Sequence, residues 1–204
     1  MTRPIAYLSP RANAQAPFAD LAPNGLQLST VVEGTLCDQQ PDQFGALLVP
    51  MHIDQRRFAA AAPWISAFFQ AGGTLVFNGL LAYPFHPALA RFEPLARPRV
   101  DQFRVRIMAD HPVWRGIDAD DLTFRRGVAG FYGRGCNPPP PDARIVGTID
   151  HGRCAIDWQW HPAEGGRLLM HAGNDLWMYA RDKNSAGALT PQLLRWCAEE
   201  EMVP

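Results

Sequence analysis

The chain has 204 residues, 47% of them hydrophobic and 19% charged, with a formal charge of −1 at pH 7. That length suits one sizeable core, and with no low-complexity linker we expect residues 1–204 to form a single domain. The near-zero charge excludes a general nucleic-acid or membrane-surface binder, since both need a basic footprint.

The first ten residues are too short and too proline-broken for a secretory signal, and no run approaches the ~20 apolar residues of a membrane helix. Cys37, Cys136, Cys154 and Cys197 lie far apart without a Cys-x-x-Cys pair. Free thiols in a reducing cytoplasm are therefore the expectation.

In chain order, residues 5–9 read as a first strand closed by Pro10, and the β-branched residues of 28–34 as a second. Residues 46–49 carry no polar alternation, as a central strand covered on both faces must. Asp54 can cap the helix that follows, whose Phe58, Ala62, Ile65 and Phe69 share one face. Pro63 either kinks that helix or restarts it. Gly72-Gly73 supplies a left-handed stop, and residues 74–78 form the next buried strand.

Four prolines between 84 and 98 predict a surface excursion. Residues 100–108 alternate as a half-exposed strand does, and 111–117 read as a compact turn. The glycines and prolines of 127–141 predict a long loop. Strands follow at 144–149, 153–160 and 167–171, joined by turns at 150–152 and 164–166, and a last helix opens at Thr190 with Leu193, Leu194 and Cys197 on its buried side. The fold class expected is α/β: a flavodoxin-like three-layer sandwich with a mostly parallel central sheet and an antiparallel elaboration in its second half.

Three segments place polar groups immediately after apolar strands: Pro50-Met51-His52, Asn78-Gly79, and His171 to Asp175. If those strands run parallel, the groups share one edge, where ligands of open α/β sheets gather. His171 and Asp175 are the candidate catalytic pair, since an imidazole titrates near neutral pH and a carboxylate can orient it. His52, Asn78, Gly79 and Asn174 are the candidate ligand-binding residues. Turn chemistry alone also explains an Asn or Asp at such positions. A tight return at Glu164-Gly165 pairs 153–160 with 167–171 antiparallel, so residue 157 or 158 faces His171 and an Asp157–His171 contact is available.

Gln159-Trp160-His161-Pro162 with Glu164 nearly spells the Gln-Phe-His-Pro-Glu string of amidotransferases. The extra Ala163 and the hairpin that follows put His161 at a turn tip, away from His171. The even spacing of His151, His161 and His171 does not make a metal set, because ten residues of strand span ~33 Å, and no metal or cofactor is expected. The glycine loop 125–136 lacks a P-loop or dinucleotide fingerprint. Its arginines and amides could wrap an anion, but a flap over the strand edge is the preferred reading.

The strand 46–49, the helix into Phe69-Gln70-Ala71-Gly72-Gly73, the strand 74–78 and the segment 165–174 together resemble a class I glutamine amidotransferase-like domain. The resemblance covers about two-thirds of the chain and is nearest the non-amidotransferase branches, ThuA-like proteins and the related domain of some β-galactosidases. Active members of that family carry a cysteine in Gly-x-Cys-x-Gly at the elbow after this strand. Here the elbow is Phe77-Asn78-Gly79-Leu80, with no cysteine from residue 55 to 110, so glutaminase activity is not expected. The resemblance implies a non-catalytic binding or assembly protein forming a homo-oligomer, or else an enzyme of hydrolase or isomerase type on a small polar ligand. ThuA-like proteins are linked with carbohydrate metabolism, which implies a sugar-like ligand.

Overall fold

The computed structural model describes residues 3–12 and 14–199. Its strands are β1 (Ile5–Ser9), β2 (Leu28–Val32), β3 (Ala46–Val49), β4 (Thr74–Asn78), β5 (Glu93–Pro94), β6 (Arg106–Ile107), β7 (Gly135–Cys136), β8 (Arg144–Ile149), β9 (Cys154–Trp160) and β10 (Arg167–His171). The α-helices are α1 (Gln55–Ala60), α2 (Ala62–Gln70), α3 (Ala119–Thr123) and α4 (Leu189–Ala198). Eight strands form one sheet in the order β2-β1-β3-β4-β10-β9-β8-β6, while β5 and β7 pair separately.

From β2 to β10 all neighbours are parallel, in the flavodoxin-like 2-1-3-4-5 order. Beyond β10 the direction alternates, with β9, β8 and β6 added antiparallel. The expected mixed α/β sandwich is therefore the fold observed.

Both faces of the sheet are covered, which is why β1, β3, β4 and β10 are buried along their whole length. On one face Leu47, Val49, Leu75, Phe77, Leu168 and Met170 pack with Phe58, Ile65, Phe68 and Phe69 of α1 and α2. On the other, Leu48, Val76 and Leu169 pack with Leu193 and Leu194 of α4. Asp54 caps α1 by accepting from the amides of Arg56 and Arg57, and the helix breaks at Ala61 so that Pro63 falls in the first turn of α2. Gly72 takes the left-handed conformation (φ 75°). Gly73 instead lacks a Cβ because the Phe68 ring lies where one would be.

Four expectations need correction. Residues 100–108 are not a strand: Val100–Phe103 is a 3-10 turn, and only Arg106–Ile107 joins the sheet. The apolar alternation there misleads because Val100 is 65% exposed, while the Phe103 ring lies against Gly130 of the glycine loop. The second strand stops at Val32, and residues 33–38 turn as a 3-10 helix that buries Leu36. The proline-rich excursion is irregular but not superficial, since Leu81, Phe85 and Leu89 are buried in the core beside α1. The last helix begins one residue early, at Leu189.

Candidate functional site

The ends of β3, β4 and β10 lie at one rim because those strands run parallel. His171, the last residue of β10, sits opposite Asp157 of β9 in the antiparallel register. The two side chains meet, with Nδ1 to Oδ1 at 2.6 Å, and both are buried. The second oxygen of Asp157 accepts from the Tyr132 hydroxyl at 2.9 Å. That hydroxyl in turn accepts from the Trp114 indole N–H at 2.8 Å.

An indole can only donate, so the direction of this chain is fixed: Trp114 to Tyr132 to Asp157. Burial first, and the Asp157 charge second, push the Tyr132 hydroxyl well above its ordinary range, so it stays protonated and donates. With the Tyr132 hydroxyl donating to one oxygen, the other oxygen of Asp157 accepts from His171 Nδ1–H, which leaves Nε2 as the free end of the imidazole. Nε2 is buried and has no hydrogen-bond partner among the described residues.

Two glycines make room for this cluster. A Cβ on Gly147 of β8 would collide with the Asp157 carboxylate, and one on Gly173 would collide with the Tyr132 carbonyl and stand 2.7 Å from His171 Nε2. The Tyr132 ring lies 4.6 Å from the imidazole, centroid to centroid, and 5.8 Å from the Tyr179 ring. The Tyr179 hydroxyl is likewise buried without a partner, and burial, reinforced by the charge of Asp157, raises it above its usual range.

The other candidates divide. Asn78 is fully buried, donating to the Val49 carbonyl (3.0 Å) and accepting from the Leu176 amide (3.1 Å), so it clamps the ends of β3 and β4 to the turn that follows β10. Gly79 acts through its backbone: its amide donates to the His171 carbonyl at 2.9 Å, and at φ 113° its Cα packs against Met51. Asn174 donates to the Phe131 carbonyl at 2.9 Å. Asp175 accepts from the Met51 amide at 2.7 Å. Its carboxyl is raised by burial, an effect opposed by that amide and by the charges of His52 and His171. Tyr7, also raised by burial and by Asp175, faces the same carboxylate. His52 is exposed and touches this group through its field alone.

His151, His161 and His171 each have their own company, Asp101, Gln159 and Asp157 respectively. Arg125 is committed to Asp182 at 2.6 Å and lies 4.7 Å from both the Phe131 and Tyr179 rings. The loop also closes over the elbow: Asn137 accepts from the Leu81 amide and donates to the Gly79 carbonyl. Trp114, Tyr132 and Asn137 had no sequence signal of their own, and only the flap expected over residues 125–136 pointed to the segment that carries Tyr132.

No helix among the described residues is long and apolar enough to cross a membrane. No family model matches the chain, and no curated protein does. Two solved structures are similar. Cytoplasmic Protein STM3548 from Salmonella typhimurium has a TM-score of 0.58 at 9% identity, covering 95% of this chain and 98% of its own. Cytoplasmic Protein STM1381 from Salmonella typhimurium LT2 has a TM-score of 0.57 at 8% identity, covering 96% and 99%. At such identity the likeness is one of fold, and it extends over nearly the whole of all three chains.

Proposed function

We propose that this chain is a cytoplasmic binding protein for a small polar, sugar-like ligand, built on an amidotransferase-like scaffold of the ThuA-like kind and lacking glutaminase chemistry. The observation that carries the reading is His171 Nε2. It is buried at the strand edge, fixed in orientation by Asp157 and Tyr132, and left without a partner among the described residues. An unpaired buried polar atom costs about 1–3 kcal/mol, so a ligand hydroxyl that pairs with it recovers a stabilisation the free protein forgoes. Asn78, Gly79, Asn174 and Asp175 support the site by holding backbone, and His171 is the group left to meet a ligand.

A second reading, an enzyme of hydrolase or isomerase type, is favoured by one feature. The ordered chain from Trp114 to His171 is what a general base requires, a tautomer set by a buried carboxylate. Against thiol chemistry stands the elbow, where Asn78 is spent on Val49 and Leu176. Assembly as a homo-oligomer belongs to the same proposal. It draws support from Leu80 and Tyr83, apolar and exposed just past the elbow.

The test is thermal unfolding of wild type and His171→Ala with a panel of mono- and disaccharides. A sugar that raises the wild-type midpoint but leaves the variant's unmoved bears the reading out. An equal shift in both places the site elsewhere. Turnover of that sugar by wild type and its loss in Asp157→Asn would transfer the assignment to the enzyme.

A further inference from the structure

The three arginines of the glycine loop have different fates. Arg134 donates to the Gly130 carbonyl at 3.0 Å, within the loop itself. Arg125 engages both oxygens of Asp182, Nε to Oδ2 at 2.6 Å and Nη2 to Oδ1 at 3.1 Å, and donates to the Met178 carbonyl as well. It thereby joins the start of the loop to the segment that follows the 3-10 turn at Leu176–Tyr179. Beside this pair opens a cleft of about 490 Å³, lined by Arg126, Arg181, Asp182, Lys183 and Asn184.

The charges around the cleft do not cancel. Asp182 has both oxygens taken by Arg125, and Arg181 pairs with Asp20 at 3.0 Å. Asp121, which accepts from the Ser185 amide just beyond Asn184, does not line the cleft. Arg126 and Lys183 are exposed and have no hydrogen-bond or ion-pair partner among the described residues. The Asn184 side chain leaves the 3-10 turn that follows it uncapped.

The backbone at Arg126 shows that turn stability does not account for this residue. The Val128 amide donates to the Arg125 carbonyl at 3.0 Å, and the two residues between them have φ 53° and 79°. Positive φ at both central positions is the type I′ turn, for which Asn-Gly is a preferred pair. Gly127 suits its place, whereas an arginine held left-handed is strained. No contact within the described residues offsets that strain.

We propose that this cleft binds the phosphate group of a small phosphorylated molecule, with Arg126 and Lys183 as its charged contacts and Asn184 as a neutral donor.

A phosphate monoester carries about two negative charges at neutral pH and three acceptor oxygens. The guanidinium of Arg126 offers a planar fork matched to two of those oxygens, and the Lys183 ammonium offers a compact point charge. The volume is that of a small-molecule site, so the phosphate can arrive on an organic body. The cleft stands on its own residues, and His171 is not among those that line it.

The experiment is isothermal titration calorimetry at low ionic strength with glucose 6-phosphate, inorganic phosphate and glucose. It uses wild type, Arg126→Asn and Lys183→Gln. Asparagine is favoured at the first centre of this turn, so Arg126→Asn should unfold at a temperature no lower than wild type. Each variant should bind glucose 6-phosphate at least about tenfold more weakly, as the loss of one charge-assisted contact requires. Glucose should not displace the ester. Ester binding about tenfold tighter than that of inorganic phosphate supports the site and identifies an organic carrier, while equal binding supports it and identifies the free ion. Absence of phosphate binding, affinity unchanged in both variants, or displacement by glucose would overturn the proposal. So would a lowered unfolding temperature in Arg126→Asn, since the arginine would then serve the fold.

Discussion

A buried imidazole that cannot take up a proton makes stability depend on pH. His111 is such a residue: its side chain is buried between the Trp114 and Trp196 rings, at 5.1 and 5.2 Å. Its Nδ1 accepts from the Val113 amide and its Nε2 faces Gln159 Oε1 at 3.0 Å, which selects the neutral Nε2–H form. Burial lowers its pKa to about 4, with Arg144 and Arg167 adding to the effect and Gln159 and Asp110 opposing it. The unfolded chain binds this proton near pH 6.5 and the folded one does not until about pH 4. The stabilisation is therefore complete above pH 6.5 and is lost as pH falls toward 4. Between pH 7 and 4.5 we expect a loss of about 2–3 kcal/mol from this one group. His111→Gln should remove that share of the slope in urea unfolding, and an unchanged slope would assign the acid sensitivity elsewhere.

At the scale of elements, the site is an assembly of loop on sheet. Asn137 bridges the glycine loop to the elbow through the Leu81 amide (2.9 Å) and the Gly79 carbonyl (2.8 Å), all buried. Asn137→Ala leaves both backbone groups unpaired, at about 1–3 kcal/mol each. The expected loss is about 3 kcal/mol in urea unfolding, with faster hydrogen exchange confined first to the elbow and residues 127–137. A loss under about 0.5 kcal/mol would mean that the elbow stands without the loop. Strands β1, β3, β4 and β8 to β10 were legible because each is a short apolar run bounded by Gly, Pro or Asp. The hairpin register was legible too, since the return at Glu164-Gly165 fixes which residue of β9 faces His171. Residues 100–108 were not, because their apolar period is satisfied by contacts with a distant loop instead of a sheet face. Tyr132 and Trp114 were invisible for a related reason: nothing local distinguishes an aromatic that donates to a carboxylate 25 residues away in sequence from one that merely fills a core. Asn78 shows the reverse limit, a residue foreseen at the right place but given to backbone.

For the whole molecule, the question is whether the parallel and antiparallel halves hold together as one unit. β10 is their seam, pairing parallel with β4 and antiparallel with β9. At its start the buried Arg167 donates to Thr74 Oγ1 of β4 (2.8 Å) and to the carbonyls of Trp196 (2.6 Å) and Glu199 (3.0 Å) at the end of α4. Its guanidinium also lies 4.0 Å from the Trp196 ring centroid. One side chain thus ties two strands and the helix that covers the far face, while the hydrophobic clusters on both faces draw residues from both halves. Such continuity predicts a single cooperative transition, with far-ultraviolet dichroism and tryptophan fluorescence coinciding in urea. Arg167→Met keeps the apolar stem but leaves the α4 carbonyls without this donor, for a loss of about 3 kcal/mol. At an m-value of roughly 2 kcal/mol/M, the midpoint should fall by about 1.5 M. Both probes should move together. Separation of the two curves in the variant, with the β9 tryptophans melting ahead of the helical signal, would show that the antiparallel extension folds as a unit of its own and that Arg167, not the shared core, is what joins it to the parallel half.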